Sequence, residues 1–106
     1  MTKYEKEIRN YGLGIDDFEV SPFESVNMLH TRSRLEKVVH DLTNEEKIKL
    51  YAYDMVLIQN AKKMSEYISE IYNFSNSKEP LTEWWWHLDK VAIGQISFNL
   101  SANMVI

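Results

Sequence analysis

Between Leu50 and Ile58 the chain reads LYAYDMVLI, with one charged group, Asp54, among eight uncharged residues. Tyr51, Ala52, Tyr53, Met55, Val56, Leu57 and Ile58 cover nearly the whole circumference of a helix, and a helix that is apolar all round is expected to be buried all round. Thr43-Asn-Glu-Glu46 precedes this stretch as a capping box: the Thr43 hydroxyl accepts from the Glu46 amide, and the Glu46 carboxylate accepts from the Thr43 amide. No Pro or Gly follows until Pro80, so the pattern predicts one helix from about Asn44 to Tyr72. In its second half Ala61, Met64, Tyr67, Ile68, Ile71 and Tyr72 share one side, and Lys62, Lys63, Glu66, Ser69 and Glu70 the other. About 29 residues at 1.5 Å each span roughly 43 Å. A compact domain of this length is roughly 35 Å across, so such a helix is expected either to kink or to project onto a second chain.

Three further elements flank this spine. Thr2-Lys-Tyr-Glu5 is a second capping-box match, and Gly12 offers a C-terminal stop, which predicts a short helix over Thr2–Tyr11 with Tyr4, Ile8 and Tyr11 as its stripe. Residues 12–20 carry two Gly and the pair Asp16-Asp17 and read as a loop. Ser21-Pro-Phe-Glu24 sets Ser at the cap, Pro at the first helical position and Glu at the third, opening a helix to about Asp41. Its apolar side changes: Phe23, Val26 and Leu29 point one way, Met28, Leu35, Val38, Val39 and Leu42 another. The change falls at His30–Arg34, where a kink is expected. After the polar loop Ser75–Pro80, Thr82 is expected to cap a fourth helix, with Leu81 stapled against Trp86. Toward the end, Leu88, Val91, Ala92, Ile96, Leu100 and Met104 share a helical face. The alternation of Ile96, Phe98, Leu100, Ala102 and Met104 with polar residues also fits a strand at 95–104.

These patterns predict one all-α domain over residues 1–106, a bundle of about four helices around a long central one. The alternative is an α+β fold with that C-terminal strand. At 106 residues the chain can bury about two-thirds of its unfolded surface without covalent staples. The absence of cysteine removes disulfides, thiol catalysis and Cys-ligated metals. The charged N-terminal segment lacks the apolar core of a signal peptide, and no apolar run is long enough to span a membrane, which leads to the expectation of a cytoplasmic protein. A net charge of −4 with both signs interspersed speaks against a phosphate-binding face. A helix-turn-helix over residues 22–60 is excluded because its recognition helix would be the most apolar part of the chain.

Two constellations stand out. Trp84, Trp85 and Trp86 sweep about 200° of a helix, so one stripe cannot take all three rings. Two are expected in the core and the third on the surface, where Trp anchors interfaces. Asp54, among apolar neighbours, requires a hydrogen-bonding or ionic partner. A Tyr, His30, Arg32 or Arg34 is the expected partner. His30, His40 and His87 lack metal-ligand spacing, so no metal site is expected, and no cofactor. His30, Arg32, Arg34 and Lys37 form the one local basic patch, expected as a solvated or salt-bridged face.

The resulting functional expectation is a small non-enzymatic protein-binding module of the inhibitor, immunity or adaptor kind. Its partner would be another protein and it would form a homodimer, with Trp84, Trp85, Trp86, Phe98 and Leu100 as the contact. The uncharged sixteen residues from Val91 to Ile106 point the same way, since an exposed apolar surface of that length needs cover. The competing expectation is a small enzyme or ligand carrier whose pocket gathers Asp54, Tyr51, Tyr53, His30 and Arg34.

Overall fold

The computed structural model describes residues 3–96 and Phe98. Five α-helices occur among them: α1 (Glu5–Gly14), α2 (Pro22–Lys37), α3 (Asn44–Gln59), α4 (Ala61–Ile68) and α5 (Leu88–Ala92). Short 3-10 turns lie at Val39–Asp41, Phe74–Asn76 and Trp84–His87. The protein is all-α, with no strand among the described residues. The strand alternative finds no support: Gln95 and Ile96 form a bend, and of the remaining span only Phe98 is described. Leu100 and the rest of that span lie outside the described residues.

Local chemistry starts the two longest helices where expected. Ser21 Oγ accepts from the Glu24 amide at 3.4 Å while the Glu24 carboxylate accepts from the Ser21 amide at 3.2 Å, with Pro22 at the first helical position. Thr43 and Glu46 repeat the arrangement at 3.1 and 2.8 Å. α1 departs from expectation. It begins at Glu5 rather than Thr2, which lies outside the described residues, and it runs through Gly12 to Gly14. Gly12 is not a stop but a point of close approach. A Cβ there would lie 2.5 Å from the Tyr53 ring, and one at Gly14 would lie 2.8 Å from Met28 Cγ. The two glycines let the Tyr53 ring of α3 and the Met28 side chain of α2 pack directly against the α1 backbone.

The kink expected at His30–Arg34 is absent, and α2 is unbroken to Lys37. Its buried positions are Ser25, Met28, Leu29, Thr31, Arg32 and Leu35, which form one stripe at helical spacing. The apolar residues alone divide between two sides because the interior stripe also includes the polar Ser25 and Arg32. Phe23, counted as interior, is 68% exposed.

The long helix is interrupted at Asn60, whose φ of −95° and ψ of 11° end α3 and begin α4. Residues 69–71 are a turn, so the helix stops at Ile68 rather than Tyr72. The interruption answers the length problem. A sixteen-residue α3 spans about 24 Å, within the 36 × 31 × 23 Å body, and α4 packs on α5 and α2. Nor is α3 buried all round: only Leu50, Asp54 and Leu57 are buried along it. The helix that Thr82 was expected to cap is also replaced. Glu83 precedes a 3-10 turn through the three Trp residues without a side-chain cap, α5 has five residues, and Leu81 is 62% exposed instead of stapled.

The core lies between α1, α2, α3 and α4, closed at one end by the Trp turn and α5. Tyr11, Leu29, Leu50, Leu57, Met64, Ile68 and Leu88 are each fully buried within it.

Candidate functional site

The inner side of α3 faces a polar centre. Asp54 sits one turn from Leu50 and Leu57 on the buried stripe and is 6% exposed. Arg32, projecting from α2 at 2% exposure, grips it as a fork. Nε donates to Oδ1 and Nη2 donates to Oδ2, both at 2.9 Å. Tyr11 Oη, from α1, donates to Oδ1 at 2.5 Å. The third guanidinium nitrogen, Nη1, reaches Glu36 at 3.0 Å on the same helix, and the guanidinium carbon lies 4.4 Å from the centre of the Trp85 ring. A buried ion pair is tolerable when its remaining hydrogen-bonding capacity is met, and here both carboxylate oxygens and all three guanidinium nitrogens have partners. Burial, then the neighbouring Asp54 charge, pushes the Tyr11 phenol well above its ordinary value. For Arg32 burial acts to lower basicity, but the hydrogen bonds and charge of Asp54 outweigh it and hold the guanidinium above its ordinary range. The centre ties together α1, α2 and α3.

Beside it the Trp turn is locked to α2. Trp85 and Trp86 both donate their indole N–H to Ser33 Oγ, at 2.9 and 2.8 Å, using the two acceptor positions of one hydroxyl. They are 1% and 5% exposed. Trp86 meets the edges of His30 and Tyr72 at 4.9 and 5.3 Å between centroids. Trp84 is half-buried and packs between Trp85 and Phe98 at 5.5 and 5.7 Å. Two Trp side chains therefore serve the core, and of the three only Trp84 stays within reach of a partner.

The outer side of α3 reverses the usual order. Ile48, Tyr51 and Met55 are 70%, 48% and 36% exposed, and Ala52 lies exposed among them. Their spacing of i, i+3, i+4 and i+7 makes one continuous stripe. Glu45 and Lys49 border it on one edge and Gln59 closes its C-terminal end, all three exposed.

The structure does not bring together the five residues expected to form a pocket. Asp54 is buried at 6% exposure, whereas Tyr51, one turn before it on the same helix, is 48% exposed on the flank toward solvent. Tyr53 packs edge-on to Tyr11 at 6.4 Å. His30 is exposed beside Trp86, and Arg34 pairs with Glu7 at 3.2 Å and with Thr31 Oγ1 at 3.0 Å. Of the expected partners of Asp54, Arg32 and a Tyr, Tyr11, are engaged, and His30 and Arg34 are not. Tyr11 was covered only by the general expectation of a Tyr; its place on the stripe of α1 was the available signal. The outer stripe escaped sequence reasoning because the surrounding residues are equally apolar.

His87 is buried, with Nε2 at 2.7 Å from the Glu79 carbonyl, while His30 and His40 are exposed. Among the described residues no three His, Cys, Asp or Glu side chains converge as metal ligands. No helix among them is long and apolar enough to cross a membrane. In comparisons with protein-family models, curated proteins and solved structures, nothing matches this chain.

Proposed function

We propose that this protein is a non-enzymatic protein-binding module, of the inhibitor or adaptor kind, that pairs with a second copy of itself through the outer face of α3. The observation that carries the reading is the stripe Ile48, Tyr51, Ala52 and Met55. Solvent-facing helix surfaces are ordinarily polar, and this one is apolar over two turns. Ile48, Tyr51 and Met55 keep 70%, 48% and 36% of their surface exposed in one contiguous patch, and contiguous exposed apolar patches mark interaction sites. A two-fold axis sets a patch against itself. Crossing two α3 helices in opposite directions at Ala52 lets the backbones approach there, while Ile48 of each copy meets Met55 of the other. The stripe alone falls short of the roughly 800 Å² per partner of a standard interface, so it forms the centre and its polar borders the rim.

Chemistry at Asp54 is less well supported. A general base must be free to accept a proton from substrate, and this carboxylate would first have to release Arg32 and Tyr11. The α3 face is also a better contact than the Trp triplet, because Trp85 and Trp86 are committed to the core.

Sedimentation equilibrium at micromolar concentration tests the reading. The expected mass is twice the 12.6 kDa of the chain, returning to the monomer value in Ile48→Lys/Met55→Lys with unchanged helical circular dichroism. A monomeric wild type, or a rapidly reversible dimer indifferent to that substitution, contradicts it. A folded Asp54→Asn variant is expected to keep its self-association.

A further inference from the structure

We infer that Asn60 is a hinge through which two copies of this chain exchange everything from α4 onward, fusing α3 and α4 of each into one straight helix. Four observations lead there. First, the connection is a single residue, with no Pro or Gly from Asn44 to Glu79, so nothing in the covalent chain opposes a continuous helix. Second, Asn60 departs from helical geometry chiefly in ψ, at 11° with φ at −95°. Helical values are near −63° and −42°, so rotations of about 30° in φ and about 50° in ψ close the gap. Third, the buried positions stay in phase across the break: Leu50, Leu57, Ala61, Met64 and Ile68 would share one face of a straight helix. Fourth, the opening amides of α4 have no acceptor within their own helix and no side-chain cap. Straightening would offer them the carbonyls of Leu57, Ile58 and Gln59.

The exchanged half is held by contacts that a second copy reproduces in full. Trp85 and Trp86 donate to Ser33, Tyr67 donates to the Val20 carbonyl, and Lys63 lies over the Phe18 ring. Every one of these joins residues after Asn60 to residues before α3. In the exchanged dimer the same pairs form between copies, so the packing balance changes little and the hinge bonds are a net gain. Exchange of identical elements in this way is a low-cost route to a dimer, and short hinges favour it. The inference does not depend on the outer face of α3, which stays exposed in the exchanged form.

The test uses full-length protein carrying Ile48→Lys/Met55→Lys, which removes association through that face. Each variant is refolded at high concentration and separated by size exclusion. Replacing Asn by Ala favours helix by up to about threefold per residue. Two hinges straighten per dimer, so Asn60→Ala is expected to raise the dimerisation constant about tenfold over Asn60, and Asn60→Gly to lower it. Because exchange requires half of each chain to leave its core, the isolated dimer should persist for hours after dilution. Equal dimer fractions in the Ala and Gly variants, or no dimer in any of them, overturn the inference. If Asn60→Ala fails to fold by circular dichroism, the contrast between the Asn60 protein and Asn60→Gly decides it. A dimer that dissociates at once on dilution and is lost with the lysine pair supports the α3 face and counts against exchange. A persistent dimer that survives the lysine pair supports exchange and leaves the rapidly reversible contact of the α3 face to be decided by the equilibrium measurement.

Discussion

The two faces of α3 carry opposite chemistry, and each carries the kind that its position ordinarily forbids. Inward, between Leu50 and Leu57, the helix places a carboxylate at 6% exposure. Outward it places Ile48, Tyr51, Ala52 and Met55 where lysines and glutamates usually stand. The inner charge is tolerated because Arg32 and Tyr11 satisfy both oxygens of Asp54. The outer stripe stays exposed, at 70% for Ile48, 48% for Tyr51 and 36% for Met55, although Thr43 and Glu46 start the helix cleanly and its inner face is well packed. Burial of a charge is thus solved within the chain, whereas the apolar outer face remains exposed. That asymmetry makes the inner face structural and is the ground on which the outer face is proposed as a contact.

The largest effects are expected inside. Asp54→Ala leaves the Arg32 guanidinium buried without its counter-charge and should cost about 3–5 kcal/mol by urea denaturation. Replacing the centre together, as Tyr11→Phe/Arg32→Met/Asp54→Leu, should cost far less than the sum of its parts, because no charge is then left unpaired. A fully additive result would show that the three groups do not act as one unit.

Tyr11→Phe removes one hydrogen bond to a charged acceptor and should cost about 1.5–3 kcal/mol. It should also change the alkaline limb of stability. The Tyr11 phenol titrates well above its ordinary 10.0 in the fold, so above pH 10 the unfolded chain releases a proton that the native state retains. Stability from this group is therefore complete below pH 10 and declines as pH rises toward the native value. In Tyr11→Phe that part of the decline should vanish. An unchanged alkaline profile would place the phenol elsewhere than against Asp54.

Smaller effects belong to the ends of the helices. Ser21→Ala and Thr43→Ala should each cost about 1 kcal/mol as lost caps, seen as a lower urea midpoint with unchanged slope. The smallest belongs to the outer face. Measured at dilution, where association is negligible, Ile48→Lys/Met55→Lys should alter stability by no more than about 0.5 kcal/mol. A large loss there would show that the stripe packs against its own chain.

Much of this fold was legible in the sequence wherever the cause is local. The caps at Ser21 and Thr43 depend on residues three apart, and the division of the Trp triplet into core and surface follows from the angle that consecutive residues subtend. The need of Asp54 for a partner follows from its apolar surroundings. What was not legible depends on distant packing. Ser25 looks like a surface residue until α3 is set opposite, and which of the expected partners, a Tyr, His30, Arg32 or Arg34, reaches Asp54 is decided only by that packing. Gly12 and Gly14 look like a helix end until Tyr53 and Met28 are seen to occupy the space of their missing Cβ atoms. Asn60 carries no breaking signal of its own, because α4 turns there to reach α2 and α5. The outer stripe was hidden for a different reason: in a segment apolar on every side, hydrophobicity alone does not say which side faces solvent.

The accessibility of that stripe is the most direct test of the central claim. Line broadening by a soluble paramagnetic probe can be read at the methyls of Ile48 and Met55 at low and high protein concentration, with Ile93, 71% exposed, as the internal reference. The account predicts that all three are broadened when dilute, and that Ile48 and Met55 alone become protected as concentration rises. Equal broadening of Ile48, Met55 and Ile93 at both concentrations would contradict it.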